Sequence, residues 1–394
     1  MIRRNKSKGH ALVLDTGKEE VNAVLSELHD YRFTRLMDPP SIENSECIPD
    51  SNGHIIGLED AAMALWGKDS YQYVVATSER NVSLAGRLRS RYGLTGMKEL
   101  EAVACTDKLI MKRKLEQAGV PVIPYWSGLD FIENEENCKS CGEVVVKPLN
   151  GSRCRGVIKM SSEEALDYIR NIGYEVIVEE QIKVKQEFHC DGVVEGGVLR
   201  HCVSSAYYRP QLAAVGGLNA SIQIDPLSRE DYKLRNLSEL AVQALGITKG
   251  VVHVEILSDG RNLWVGEIAG RPGGGGITRY LHLITGLNLW EIFTYQQLGH
   301  ELDIRCTKEK SDGSWLRIGV PPTAKGIKID ENLKSLGSDI EVYDRRKKKS
   351  YTSRSYWPFG SIMYAKTKSM VDAKRFIQEI EKQIKSEKRE LLEY

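Results

Sequence analysis

What this 394-residue chain lacks closes off several classes of protein. It has no run of about 18 apolar residues, so no segment predicts a membrane-spanning helix. The opening stretch Met1–Leu14 holds only Ala11–Leu14 as an apolar run, too short for a secretory leader, and a cytoplasmic location is the expectation. Eight cysteines in a chain this long do not make a disulfide framework, which favours reduced thiols. Twelve prolines are too few for a low-complexity or fibrous chain. Charge of either sign is missing in excess: 55 Lys+Arg offset 54 Asp+Glu, a formal +1, which argues against a protein built to neutralise nucleic acid. Four common motifs are also absent, namely GxGxxG after a strand, GxxxxGK[ST], HExxH and GxSxG; Gly67-Lys68-Asp69 lacks the preceding glycine and the hydroxyl. What is present is a 41% hydrophobic, 28% charged chain with a modest glycine surplus of 35 residues. At about 150 residues per domain, the length predicts two or three domains.

The first hundred residues alternate strand and helix signals. His10–Asp15 predicts a strand followed by a helix over Glu19–His29, and Tyr73–Thr77 a second strand running into a helix that ends near Tyr92-Gly93. Such alternation favours a parallel α/β layer. Asp38–Asn52, rich in Pro, Ser, Asn and Glu, predicts a surface loop. Thr106 is placed to cap a helix with Leu109, Met111 and Leu115 as apolar contacts, closed by Gly119 and Pro121. A compact β-loop-β-α-β unit follows: strand Glu143–Lys147, the loop Asn150–Gly156, strand Val157–Met160, a helix to Ile172 opened by a Ser161/Glu164 capping box, and strand Glu175–Glu179. Strands are then expected at Gln186–Cys190 and Val198–Ser204. A long helix opens at Ser228 and Asp231, with Leu234, Leu237, Leu240, Ala241 and Ala244 on one side, and closes at Gly246. Gly250–Leu257 and Asn262–Ile268 predict a hairpin about Ser258-Asp259-Gly260, and the tail after Gln378 a charged helix.

Chemistry concentrates in two places. In the loop after Lys147, Gly151 and Gly156 let backbone approach phosphate oxygens while Ser152, Arg153 and Arg155 add donors; an ordinary β-turn fits the same residues equally well. In the hairpin, Glu255 and Glu267 sit among Val254, Ile256, Val265 and Ile268, and carboxylates in such company are costly unless paired or metal-bound. A three-residue turn with a glycine bulge puts both on one face, able to share a hard cation; a two-residue turn puts them on opposite faces. The alternative is two edge-strand glutamates in water. The stretch Gly270-Arg271-Pro272-Gly273-Gly274-Gly275-Gly276 favours the first reading, because a guanidinium backed by four glycines suits a phosphate or carboxylate.

In this order and spacing the motifs resemble those of the ATP-grasp carboxylate–amine ligases, and within them the L-amino-acid ligase-like branch, over nearly the whole chain. Thr106-Asp107-Lys108 with Gly119-Val120-Pro121 looks like the family's first lysine segment, Val146-Lys147-Pro148 like its second, and Gly151–Val157 like its phosphate-covering loop. Glu179-Glu180-Gln181-Ile182 resembles the adenine hinge and Glu187 the ribose-binding glutamate. Glu255 and Glu267 match the metal carboxylates, and Arg271 the arginine facing the reacting groups. Two departures stand out. Ala269 occupies a place where the family often has a metal-binding asparagine, though the amino-acid ligase branch tolerates alanine there. Lys183-Val184-Lys185-Gln186 replaces the usual glycine-containing link after the hinge.

The resemblance implies a three-lobed α/β architecture: an N-terminal parallel α/β domain over 1–105, a small α+β lid over 106–183, and a larger α+β lobe over 184–394. It implies ATP and Mg2+, with Mn2+ as alternative. Lys108 and Lys147 would hold the α- and β-phosphates, Glu255 and Glu267 the metal, and Arg271 would stabilise an acyl phosphate that an amine then attacks. Ser204–Arg209 and Val215–Leu218 precede the long helix, where the family often builds its amino-acid pocket; Tyr207, Arg209, Gly216, Gly217 and Gly274 are the substrate candidates, with loop packing an equal alternative for each. His253 shares a face with Glu255 and suits a supporting hydrogen bond better than direct ligation of magnesium. The expected partners are a small-molecule carboxylate and amine, or a carrier protein loaded with an amino acid, and a homodimer is admitted. A nucleotide-binding protein without turnover is the rival that Ala269 keeps open. The lone Cys138/Cys141 pair predicts no zinc site, and the basic run Arg345–Lys349 a solvated hairpin tip rather than a nucleic-acid contact.

Overall fold

The computed structural model describes residues 9–37, 58–138, 141–151, 154–306, 313–324, 327–344 and 359–390. The expected loop over Asp38–Asn52, the central part of the Cys138/Cys141 motif, and the basic run Arg345–Lys349 lie outside them. No helix among them is long and apolar enough to cross a membrane.

Three sheets organise the chain. Strands β1 (Gly9–Asp15), β2 (Tyr31–Met37) and β3 (Tyr73–Ala76) form a parallel sheet of order β2-β1-β3. Strands β4 (Tyr125–Ser127), β5 (Glu143–Pro148), β6 (Ile158–Ser161) and β7 (Val176–Glu180) form an antiparallel sheet of order β4-β7-β5-β6. The remaining strands are β8 (Gln186–Glu195), β9 (Val198–Tyr207), β10 (Asn219–Gln223), β11 (Lys249–Ser258), β12 (Leu263–Ala269), β13 (Ser314–Val320), β14 (Gly337–Asp344) and β15 (Ser361–Thr367). They make an antiparallel sheet of order β12-β11-β8-β9-β10-β13-β15-β14. The fold is therefore the expected α/β class with a small and a large antiparallel sheet behind a parallel one. Strands β2, β4, β10, β13, β14 and β15 and the helices Leu58–Trp66, Glu99–Ala104, Gly128–Glu133, Ile277–Thr285, Leu289–Gln297 and Glu331–Leu336 are among the additions to the elements read from the sequence.

β1 is apolar along its length because both of its faces are covered. Ala11, Val13 and Val75 pack with the helices Ile277–Thr285 and Leu289–Gln297 of the C-terminal half, and Leu12, Leu14, Val74 and Ala76 pack on the other side beneath Val82–Arg91. A buried polar seam fixes this docking. Gln297 accepts from Ala76 N (2.8 Å) and donates to Ala76 O (3.2 Å), while Arg89 donates to Val74 O, Met97 O and Gln297 Oε1.

The large sheet has two unlike faces, as the period-2 alternation of its strands requires. Phe188, Cys190, Val252, Val254, Ile256, Val265 and Ile268 form an apolar face covered by the helices Arg229–Ala244 and Lys108–Gln117. Two sequence expectations change here. Leu240 is exposed, because the buried stripe of its helix runs through Leu234, Leu237, Ser238, Ala241 and Val242. The cap of the helix Lys108–Gln117 is Asp107, whose carboxylate accepts from Leu109 N and Ile110 N; Thr106 Oγ1 donates back to Ala102 O instead.

Helix packing in the N-terminal part is close enough to require glycine at one point. A Cβ on Gly86 would lie 2.4 Å from Ala102 Cβ and 2.9 Å from Lys98 O. Gly86→Ala is expected to destabilise the protein by about 1–3 kcal/mol through overpacking, measured as a lower urea midpoint at unchanged slope.

Candidate active site

The opposite face of the large sheet is polar across six strands. Registered pairs place Glu255 opposite Glu267 and His189, His253 opposite Asp191, His189 opposite Ser205, and Ser221 opposite both Tyr207 and Arg317. The position of Glu267 depends on one residue. Glu255 pairs with Glu267 but Ile256 pairs with Val265, so Gly266 is an extra residue in β12. Without that bulge Glu255 would face Gly266, and Glu267 would point to the apolar side. The glycine bulge expected at the turn thus lies inside the strand. The turn itself is held by Asp259 Oδ1, which accepts from Arg261 N and Asn262 N at 2.7 Å each.

Three carboxylates crowd this face. Burial and the nearby Glu255 push the Glu187 carboxyl up to about 8, although its Oε2 accepts from Gln211 N at 2.7 Å. Burial raises Glu267 too, with Lys108 opposing and Glu79 and Glu255 adding to the rise. Burial also pushes Glu255 up, but the hydrogen bond and charge of His253 outweigh it and hold Glu255 below the ordinary range. Glu255 Oε1 takes its contacts from His253 Nε2 and Tyr207 OH, both at 3.3 Å. Like charges gathered in this way leave negative charge unmet, and an all-oxygen donor set suits a hard divalent cation. Glu255 and Glu267 would hold it. Ala269 lies opposite His253 in the register, so the place of the missing asparagine faces an imidazole.

His253 is itself anchored. Its Nδ1 lies 2.9 Å from Asp191 Oδ1, and Asp191 Oδ2 lies 2.6 Å from His189 Nδ1, whose Nε2 meets Ser221 Oγ at 3.0 Å. Burial works against charge on His253, but Asp191 and Glu255 prevail and raise it to about 10; the two histidines hold Asp191 well below the usual carboxylate range. Of this chain the sequence reading contained only His253. The strand expected to stop at Cys190 runs on to Glu195, and Glu187, His189 and Asp191 occupy alternate positions on one side of it.

Cations reach the carboxylates from the smaller sheet and the helix beside it. Lys108 Nζ donates to Gly151 O at 2.8 Å and lies 3.5 Å from Glu267 Oε1. Lys147 Nζ donates to Glu179 Oε2 at 2.6 Å, and Lys112 Nζ lies 3.0 Å from Glu179 Oε1. Burial alone would raise Glu179, yet the two lysines hold it down at about 2. The Glu179 side chain is thus an internal counter-ion, while Glu180 is exposed and its N–H donates to Pro124 O. Ile182 O accepts from Gln181 Nε2 and Val184 N. Lys112 was legible after all: Lys108, Met111, Lys112 and Leu115 are the buried stripe of their helix.

Of the phosphate-loop candidates, Ser152 lies outside the described residues. Gly156 has φ +68°, and a Cβ there would meet Pro148 Cγ at 2.8 Å. The Cys154 thiol, raised to about 11 by burial, also feels Glu255, Glu187, Lys147 and Glu267, so Cys154 lies near the charged cluster. Arg271 Nε donates to Glu79 Oε2 at 3.1 Å and its Nη2 bonds the same oxygen, while Nη1 donates to Pro272 O. Glu79, which opens the short helical turn Glu79–Asn81 after β3, had no sequence signal that singled it out. Gly273 passes so close to the histidine chain that a Cβ would lie 2.7 Å from Asp191 Oδ1; Gly274 beside it is exposed. Tyr207 is brought to Glu255, but Arg209 is not: its Nη1 pairs with Glu381 Oε1 at 2.6 Å on the C-terminal helix. Gly216 is exposed and Gly217 half-buried in a separate loop.

This architecture, a parallel N-terminal sheet with a small and a large antiparallel sheet, and Lys108 on its helix approaching Glu267 of the larger one, is the ATP-grasp fold. No family model matches the chain. Its homologues and structural neighbours are ATP-grasp carboxylate–amine ligases. The L-arginine-specific L-amino acid ligase of Bacillus subtilis is 30% identical over 242 residues, 56% of this chain and 56% of that one, so the match spans about half the length of this relative. The crystal structure of L-amino acid ligase from Bacillus licheniformis superposes with a TM-score of 0.66 at 16% identity, covering 96% of this chain and 98% of that one. A carboxyaminoimidazole ribonucleotide synthase from Aspergillus clavatus, solved in complex with ATP, gives 0.65 at 16% identity over 96% and 99%.

The Lys112–Glu179–Lys147 cluster generates a stability prediction. Glu179→Gln leaves Lys112 buried without its counter-ion, at a cost of about 3–5 kcal/mol. Because the folded carboxyl sits at about 2 against an ordinary 4.5, its contribution is complete above 4.5 and disappears as pH falls through about 2. Urea unfolding of both proteins should show the gap at neutral pH and its narrowing in that acid window.

Proposed function

We propose that the chain is an ATP- and Mg2+-dependent ligase that joins a carboxylate, an amino acid, to an amine through an acyl phosphate and releases ADP and phosphate. The observation that carries this reading is Lys108. One ammonium touches the carbonyl of Gly151 in the phosphate-loop segment and approaches Glu267 of the large sheet, so helix, loop and carboxylate pair converge on one point. The fold shared with a structure solved in complex with ATP supports the nucleotide assignment, and the relative named as an L-amino acid ligase supports the substrate class.

A carboxylate is a poor acyl donor, and phosphorylation turns it into a good one. In such transfers the protein's work is positioning and charge neutralisation. Lys108 and Lys147 neutralise the phosphates, with Glu179 fixing the direction of Lys147. Glu255 and Glu267 would hold magnesium, which would supply positive charge against the phosphates. Glu187, with its proton retained well above the ordinary carboxyl range, donates or accepts a hydrogen bond to a ribose hydroxyl. Arg271 leaves Glu79 to stabilise the oxyanion that develops on the reacting carboxyl group, and Glu79 is then free to take a proton from the incoming ammonium so that a neutral amine attacks. The loop from Gly151 to Gly156 excludes water that would hydrolyse the intermediate. We place the lobe boundaries of this machine at residues 105/106 and 183/184.

The test is a panel of amino-acid pairs with Mg-ATP, followed by nucleotide analysis and product mass. ADP, phosphate and an amide product are expected; AMP and pyrophosphate would overturn the acyl-phosphate route. Glu267→Gln should lower turnover by roughly 100-fold or more while the fold persists, and full activity in that variant would refute the metal assignment.

A further inference from the structure

One cation on the polar face has no task in the reading above. Arg317, in β13, is 1% exposed and is the bulkiest of the fully buried side chains. Its Nη1 and Nη2 both donate to a single acceptor, Asn219 Oδ1, at 3.1 and 2.6 Å, and its Nε has no hydrogen-bond partner. Among the described residues no carboxylate pairs with it. Asp191 is near enough to act on it electrostatically, but both oxygens of Asp191 are taken by His189 and His253. The Phe359 ring lies 5.5 Å from Cζ, and Tyr207, Tyr364 and Tyr280 are also near enough to act on it. A guanidinium offers five donors, and burying it with one amide oxygen for company is costly.

A second observation says what would complete it. Nη2 borders the glycine loop: a Cβ on Gly275 would lie 3.8 Å from it and 3.3 Å from the Phe359 ring. Gly275 and Gly276 hold φ of +62° and +89°, and Gly276 is the N-cap of the nine-residue helix Ile277–Thr285 with no side chain capping it. The first turn of a helix presents N–H groups and partial positive charge. A buried guanidinium thus lies beside a helix start that no side chain caps, although Ile277 N donates to Gly274 O. This is a setting for an anion with two oxygens. The same loop begins at Arg271, and four residues of chain span at most about 14 Å, the scale of an amino acid or dipeptide.

We propose that Arg317 and the Gly274–Gly276 backbone bind a substrate carboxylate other than the one being activated. This rests on the ligase reading. The carboxylate is either the free α-carboxylate of the amino acid that supplies the amine or a side-chain carboxylate, and both have the same chemistry at this site.

The test measures binding rather than turnover, with the full chain saturated with Mg-ADP. The probes are L-glutamine, which has only the α-carboxylate; its isomer L-isoglutamine, which has only the side-chain one; and glutamate α,γ-diamide, which has neither. One isomer or both should bind the wild type about tenfold or more tightly than the diamide, and which one identifies the source. Arg317→Met should abolish that preference. Asn219→Asp should abolish it as well while raising Tm, because it sets a carboxylate where the guanidinium already bonds. Retained ADP binding reports that each variant is folded. A purely structural role for Arg317 predicts that the preference survives in Asn219→Asp, and that result overturns the proposal, as does equal binding of the diamide or no carboxylate-dependent binding to the wild type. Failure of the ligase reading is seen separately, as the absence of ADP formation from Mg-ATP across the amino-acid panel.

Discussion

Like charges on neighbouring strands repel when they stand directly opposite one another, and the bulge at Gly266 holds Glu255 and Glu267 in that arrangement. The surrounding groups answer that repulsion. His253 supports Glu255 from two residues away, Asp191 supports His253, and His189 and Ser221 complete the chain across three more strands. Lys108 approaches Glu267 from outside the sheet. Even so, burial, with Glu255 nearby, keeps Glu187 and Glu267 pushed up. A polar face of this kind would weaken a core, and the fold separates it from one. The apolar faces of the same strands are sealed by the helices Arg229–Ala244 and Lys108–Gln117.

The smaller sheet solves the converse problem. In the proposed ligase its lysines serve the phosphates, and they must not collapse onto the carboxylates opposite. Glu179 does this by holding Lys112 and Lys147 inside its own lobe, and the short contact to Lys147 shows where that ammonium rests. Arg271 is restrained in the same way by Glu79. Each cation of the cluster thus has an internal anion, except Arg317.

Much of this was legible in the sequence, and the reasons for the rest are specific. The alternating pattern around Glu255 and Glu267 marked both as anomalous among apolar neighbours, but spacing could not decide their faces, because the deciding residue was a bulge inside the strand. Lys112 was hidden by the habit of reading lysine as solvent-facing; its four-residue step from Lys108 and its place beside Met111 and Leu115 carried the signal. His189 lay inside the expected strand Gln186–Cys190 without being singled out, and Asp191 needed that strand to run past Cys190. Arg209 looked like an anion binder because its partner, Glu381, lies 172 residues away on the C-terminal helix. Glu79 and Arg317 sit in ordinary sequence, and only the tertiary arrangement gives them neighbours worth noting. The parallel sheet was read correctly in kind, but β2 escaped notice because its alternation of half-buried and exposed residues lacks a strong apolar run.

The central claim is that Glu255 and Glu267 form a cation site whose affinity depends on a bound nucleotide. The most direct test is Mn2+ binding followed by electron paramagnetic resonance, with and without ADP, in the wild type and in Glu255→Gln. The account predicts tight Mn2+ binding only when ADP is present, and its loss in the variant. Mn2+ binding that is indifferent to ADP, or unchanged in Glu255→Gln, would contradict it.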